Sequence, residues 1–341
     1  MRLFAFLIAS LALAPLAVAE VELRVSIKVI LGPGGEWPDN TSTVGTPALN
    51  LNSAQVLRDN LKFANEILAR EGTGYRFVLR DNQIYSLSGF ANSWFTLDAR
   101  QSSSRDLAEN TATANSAAKV LWQWHDDSIN IYVNDSRSGY CSGPGSGKQV
   151  ILVGAGAYSE LIIHEIGHYF SLAHTHTVDN DSALDDWADG DGLGETLPDD
   201  ADATQADINN RYDGNPQPLE SQVRRDDLIF NIMSYRDLRI DRFVWDQRER
   251  IIETFNSTRA FATIGHARFV QPGGNNGADG LTIGSRLATI GRGVDLAAIA
   301  QDAVLIRGGS YNATSEGLPL TITKAVTLVA WRGAVTITRS P

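Results

Sequence analysis

"HEIGHYFSLAHTH", residues 164–176, gathers four of the chain's six histidines around one glutamate. On a helix, His164 and His168 lie one turn apart on the same face, with Cβ atoms about 5–6 Å from each other. Two imidazoles so placed can share one Zn²⁺, and Glu165 beside the first can reach a water at the ion. A catalytic zinc takes three protein ligands plus a water, so a third ligand is needed. His174 reaches the same ion only if the helix stops and the chain doubles back near residue 171. Glycine suits such a reversal best, because it enters the left-handed region without a Cβ clash. Here the residue is Ser171, which costs about 1 kcal/mol more than glycine in that conformation. His176 competes with His174 as third ligand. The bland alternative is a helical face carrying two satisfied histidines and an exposed glutamate.

Outward from this stretch, strands alternate with helices. "VELRVSIKVIL" (21–31) alternates apolar and polar residues and reads as a strand. A helix is expected within 52–72, with Asn52 or Ser53 as its cap and Gly72 near its end. "YRFVLR" (75–80) reads as a strand, 105–125 as a second long helix, and "INIYVND" (129–135) and "QVILVGA" (149–155) as further strands. The helix carrying the histidines is expected to begin near Ser159. The pattern is that of a layered α/β domain. Two glycine-rich stretches are decoys. "VGAGAYS" (153–159) has Ser159 where a dinucleotide fingerprint needs its third glycine, and "GPGSGKQ" (143–149) lacks the glycine spacing and Ser/Thr of a phosphate loop.

Downstream, an acidic loop-rich stretch leads to "NIMSYRD" (231–237) and a helix, "WDQRERIIETF" (245–255). The combination "HEIGHYFSLAHTH" … "DGDGLGETLPDDA" … "NIMSY" resembles the metzincin zinc metalloproteases, and most closely their pappalysin-like, ulilysin-type branch. The resemblance covers roughly residues 21–261. It implies a mixed twisted sheet over a helical lower subdomain, an α/β (α+β) catalytic domain with zinc in the cleft between. It assigns the zinc ligands to His164, His168 and His174, the general base to Glu165, and the methionine turn to Met233. Tyr235 matches the tyrosine that in such enzymes stabilises the transition state. In that chemistry zinc acidifies its water and polarises the scissile carbonyl, while Glu165 carries a proton from the water to the leaving amine. Only two methionines occur, and the other is Met1.

The loop "DNDSALDDWADGDGLGETLPDD" (179–200) is dense in carboxylates. One reading is a solvated surface; the other is a Ca²⁺ site, whose hard oxygen ligands would be Asp189, Asp191 and Glu195. After about residue 268, short Thr-containing β patterns recur: "LTIGS", "ATIGR", "LTITK", "VTLVA", "VTITR". They resemble the opening rungs of a right-handed parallel β-helix of the pectin-lyase-like kind, a short β-solenoid-like accessory segment over 269–341.

Residues 1–19 carry one Arg, an apolar run broken by Pro15, then Ala17 and Ala19. That is the layout of a secretory signal cut after Ala19, leaving a zinc metalloprotease domain over 20–268. The expected location is outside the cytoplasm, extracellular or periplasmic, without stable membrane insertion. The formal charge of -11 argues against sequence-independent nucleic-acid binding, which needs a basic surface. Cys141 is the single cysteine, so no intramolecular disulfide forms; it reads as a lone thiol, inert or paired between molecules, ahead of the alternative of a metal-ligating latency switch. The leading expectation is a secreted zinc endopeptidase acting on peptide or protein substrates. The alternative is a non-enzymatic surface or adhesion protein with a structural metal site and a β-rung binding module.

Overall fold

The computed structural model describes residues 20–38, 53–99, 101–136, 139–141, 149–155, 161–177, 187, 189–212, 219–234, 240–317 and 320–338. In chain order the elements are β1 (Val21–Ile30), α1 (Ala54–Arg70), β2 (Tyr75–Leu87), α2 (Ser102–Thr113), α3 (Ser116–Leu121), β3 (Ile129–Asn134), β4 (Gly139–Cys141), β5 (Val150–Gly154), α4 (Leu161–Tyr169), β6 (His176–Thr177) and β7 (Asp199–Asp200). There follow α5 (Gln205–Tyr212), α6 (Leu219–Ile229), α7 (Trp245–Asn256), β8 (Thr263–Ile264), β9 (Ala267–Val270), α8 (Ile290–Leu296), β10 (Ala303–Asn312) and β11 (Thr327–Thr338). The leader expected at 1–19 and the helix start expected at Ser159 lie outside the described residues. No helix among the described residues is long and apolar enough to cross a membrane.

The main sheet runs β2-β1-β3-β5-β4, with β8 pairing β1. Neighbours along it are parallel except β4, which is antiparallel to β5 and forms an edge, and β8 is antiparallel to β1. This is a mixed α/β arrangement. Strand alternation divides β1 between two faces. Val25, Ile27 and Val29 join Ile131, Val133, Ile151 and Val153 in a core shared with α1 and α4. Ile30 joins Trp94, Trp122, Tyr132 and Leu152 on the opposite face. Lys28 also turns that way. It is fully buried, and its ammonium donates to Asn130 Oδ1 at 2.5 Å and to the Ser26 carbonyl at 3.2 Å.

Ser53 caps α1 by accepting from Val56 N–H, and Leu57, Leu61, Ala64 and Leu68 supply its buried stripe. Gly72 follows the helix at φ +60°, where no side chain is tolerated cheaply. Three expectations need correction. The long helix over 105–125 is two helices, because Asn115 leaves helical geometry and caps α3 through Ala118 N–H. The strand expected at 75–80 continues to Leu87 past Asp81 and Asn82, both at φ +52°, with a register shift against β1. Of the C-terminal β patterns, "LTIGS" and "ATIGR" hold a 3₁₀ turn and α8, because Thr282 and Thr289 bend to cap them. "LTITK" carries no strand.

What remains of that pattern is a three-stranded, all-parallel sheet ordered β11-β10-β9. Three parallel strands do not establish a wound solenoid. Phe269, Leu305 and Trp331 from this sheet join the main core. Gly74, at the start of β2, leaves just enough space for Leu305 and Val329, which a Cβ would meet at 3.2 and 3.1 Å.

Candidate metal centre

α4, "LIIHEIGHY", is apolar around most of its circumference and buried nearly throughout. A helix packed this way fixes its rotation, and His164 and His168 emerge together with ring centroids 4.8 Å apart. The helix then ends abruptly. Ser171 sits at φ +71°; its N–H donates to the His168 carbonyl, and Leu172 N–H to the Gly167 carbonyl, both at 3.0 Å. These two bonds and the left-handed residue between them make a Schellman termination, with serine in the place glycine usually takes. The reversal returns His174 to the other two rings.

The three Nε2 atoms stand 3.3 Å (His164–His174), 3.1 Å (His164–His168) and 3.0 Å (His168–His174) apart. Imidazole nitrogens at tetrahedral positions roughly 2.0–2.1 Å from one ion would be about 3.4 Å from each other. Among the described residues this trio is the one group of three or more His, Cys, Asp or Glu side chains converging tightly enough to hold a metal. The tautomers suit it. His164 Nδ1 donates to the Ile232 carbonyl at 2.6 Å and His168 Nδ1 to the Leu172 carbonyl at 2.7 Å. A carbonyl can only accept, so each ring carries its proton on Nδ1 and a lone pair on Nε2. Burial, then the neighbouring His168, push His164 down to about 3; burial and the same neighbours push His174 to about 2. His168 is lowered by burial as well. Neutral imidazoles with inward lone pairs are what a zinc or similar borderline cation requires, and the donor set fits.

Glu165 is 4 % exposed. It projects beneath the sheet edge, where a Cβ on Gly139 of β4 would lie 2.6 Å from its Oε1. Burial raises its carboxyl to about 8, opposed by the Arg105 guanidinium and by the Cys141 backbone N–H donating to it. A cation held next to it would favour the carboxylate. The Cys141 thiol is buried and pushed up by burial first, and it is not part of the converging group.

Met233 is fully buried under α4. Gly167 makes room for it: a Cβ there would stand 2.5 Å from Met233 Sδ. The turn around it is built by Asn231, whose Oδ1 accepts from Met233 N–H at 2.9 Å and whose carbonyl accepts from Ser234 N–H at 3.1 Å. The Met233 carbonyl accepts from Thr175 N–H at 3.2 Å, tying the turn to the segment that carries His174. Tyr235 lies outside the described residues.

His176 is not in the group. It stacks flat on His174, centroids 5.0 Å apart and 4° from parallel, with Nδ1 3.9 Å from buried Asp199. His125 is elsewhere, against Ser26 Oγ at 2.9 Å. Among the described residues Asp189, Asp191 and Glu195 do not form a tight three-ligand group, although the Asp189 and Asp191 carboxyls face each other. Asp189 accepts from Gly192 N–H, Asp191 from Leu193 N–H and Thr196 Oγ1, and Glu195 pairs with Arg332 at 2.7 Å. In the structure these carboxylates take part in a turn and an ion pair. The sequence reading missed Gly167, Asn231, Arg105 and the Cys141 N–H. Gly167 and Asn231 sit inside the quoted motifs. Arg105 reaches Glu165 across sixty residues, and no local signal announces it.

No protein-family model matches the chain, and no curated protein matches it. Among solved structures the chain is similar to mirolysin in complex with compound 9, at 17 % identity and TM-score 0.42, covering 72 % of this chain and 96 % of that one. It is also similar to mature mirolysin of Tannerella forsythia in complex with a cleaved peptide, at 16 % identity and TM-score 0.39, with the same coverages.

Proposed function

We propose that the protein is an exported zinc-dependent endopeptidase of metzincin, pappalysin-like type. The observation that carries this reading is the convergence of three neutral imidazole Nε2 atoms beside a buried carboxylate, Glu165, at a sheet edge. His164, His168 and His174 would hold the zinc. When bound, zinc supplies a Lewis acid that polarises a carbonyl and makes water a nucleophile near neutral pH.

The chain's own residues do the rest. Edge strand β4 offers backbone hydrogen bonds to an extended peptide, laying it across the mouth of the site. Glu165 takes a proton on its carboxylate from the attacking water and delivers it to the leaving amine nitrogen. Arg105 and the Cys141 N–H favour the charged form of that carboxylate. The Ile232 and Leu172 carbonyls keep His164 and His168 in the ligating tautomer. Residues 1–19 are proposed to direct export.

The alternative, a structural site, calls for a fourth protein ligand, and the converging group among the described residues has three. Digestion of an unstructured protein by residues 20–341, beside Glu165→Ala, tests the proposal. Cleavage by the wild type and a loss of at least a hundredfold in the variant is expected. Equal cleavage by both would remove Glu165 from the mechanism, and none by either zinc-loaded protein would remove the activity.

A further inference from the structure

Besides its apolar contacts with the main core, the C-terminal sheet is joined to the rest of the molecule by one residue of unusual placement. Arg332, within β11, holds φ +52°, a conformation in which any side chain costs and glycine does not. Its guanidinium meets three carboxylates. Nε and Nη2 donate to the two oxygens of Glu249 at 2.7 and 2.9 Å, Nη1 donates to Glu195 at 2.7 Å, and Nη2 also donates to Asp246. The preceding Trp331, 1 % exposed, donates Nε1–H to Glu249 at 2.9 Å and stands edge-on to Trp245, centroids 4.8 Å apart. Glu195 in turn accepts from Asp246 N–H at 3.2 Å. The acidic loop and the first turns of α7 are therefore gripped together by one side chain of the C-terminal strand.

Both gripped elements lead to the metal centre. Gln247, one residue after Asp246 and fully buried, exchanges two hydrogen bonds with Asn231, at 3.0 and 3.1 Å, and donates to Asp191 of the acidic loop at 3.3 Å. Asn231 shapes the turn through Met233 N–H, and the next carbonyl, Ile232, accepts from His164 Nδ1. Gly190, the residue just before Gln247's partner Asp191, packs so closely on the His176 backbone that a Cβ would collide. Hydrogen bonds, linked through the backbone from Asp246 to Gln247 and from Asn231 to Ile232, thus connect β11 to a histidine of the converging trio.

We infer that Arg332 is a positioning residue for the metal centre: through Glu195, Asp246 and Glu249 it sets the methionine turn, and with it the Nε2 of His164. The C-terminal sheet is on this account part of the metal site's support. The inference rests on the proposed metal centre.

The test uses residues 20–341 and reads zinc affinity by competition with a chromophoric chelator, together with circular dichroism of the zinc-free protein and the kcat and KM of the loaded one. Arg332→Gly tolerates the left-handed backbone and removes the whole side chain, guanidinium included. The expected result is a folded protein whose zinc affinity falls about tenfold and whose kcat falls with KM little changed. Arg332→Lys keeps a charge but cannot bridge three carboxylates, and should recover part of the affinity. Where the glycine variant does not fold, the lysine variant decides, with a loss of threefold or more expected. Wild-type affinity in a folded variant overturns the inference and leaves the metalloprotease reading intact. Failure of the wild type to bind zinc overturns both.

Discussion

Ser171 is where the sequence departs from its simplest reading, and the structure shows what the departure costs. The serine occupies the left-handed C′ position of a Schellman turn at φ +71°, and the return of His174 depends on that turn. Ser171→Gly should raise stability by roughly 0.5–1 kcal/mol, less than the full left-handed penalty because glycine also loosens the unfolded chain. Zinc affinity should be unchanged; a melting temperature that falls would show that the serine side chain supports the turn. Gly167 makes the opposite demand. Gly167→Ala places a methyl against Met233 Sδ, and zinc affinity is expected to drop severalfold as the turn retreats from His164. An alanine variant with wild-type affinity would mean that Met233 swings aside freely.

Among the elements, α4 and the methionine turn make one unit. Asn231→Ala leaves Met233 N–H and Gln247 buried without their partner, at a cost of about 2 kcal/mol, measurable by denaturant unfolding of the zinc-free protein. A change below about 0.5 kcal/mol would show that water takes the partner's place. The helix with its two histidines, and His174 beyond it, were legible because a fixed helical repeat and one reversal bring the three together. The parallel strands β1, β3 and β5 were legible for a like reason, being apolar runs between turn signals. The break at Asn115 was not, since only the capping hydrogen bond to Ala118 N–H reveals it. The Thr-rich C-terminal patterns misled in part, because threonine serves as strand residue and as helix cap, and neighbours decide which. The calcium reading finds no support, because carboxylate density says nothing about which partners the fold provides.

Across the whole molecule, ligand linkage and pH give two expectations. Chelation should lower the melting temperature, and returning zinc should raise it in proportion to the logarithm of free zinc above its dissociation constant. A melting temperature indifferent to zinc would contradict a folded-state site. On the far face of the sheet, His125 is held down to about 4 by burial first, then by Lys28 and Arg80. The unfolded chain therefore binds this proton first, near the ordinary value of 6.5. The associated stability is present above that value and is lost as pH falls toward 4. His125→Gln should flatten the stability profile in that window, and an unchanged slope would place the acid sensitivity elsewhere.

The central claim is that His164, His168 and His174 hold a zinc that the chemistry needs. It is tested most directly by stripping the purified protein with a chelator and adding zinc back while following hydrolysis of an unstructured protein. Activity should vanish on stripping and return in step with zinc up to one ion per chain, and His174→Ala should not recover. Hydrolysis that survives complete removal of the metal, or full recovery in the His174 variant, would contradict the account.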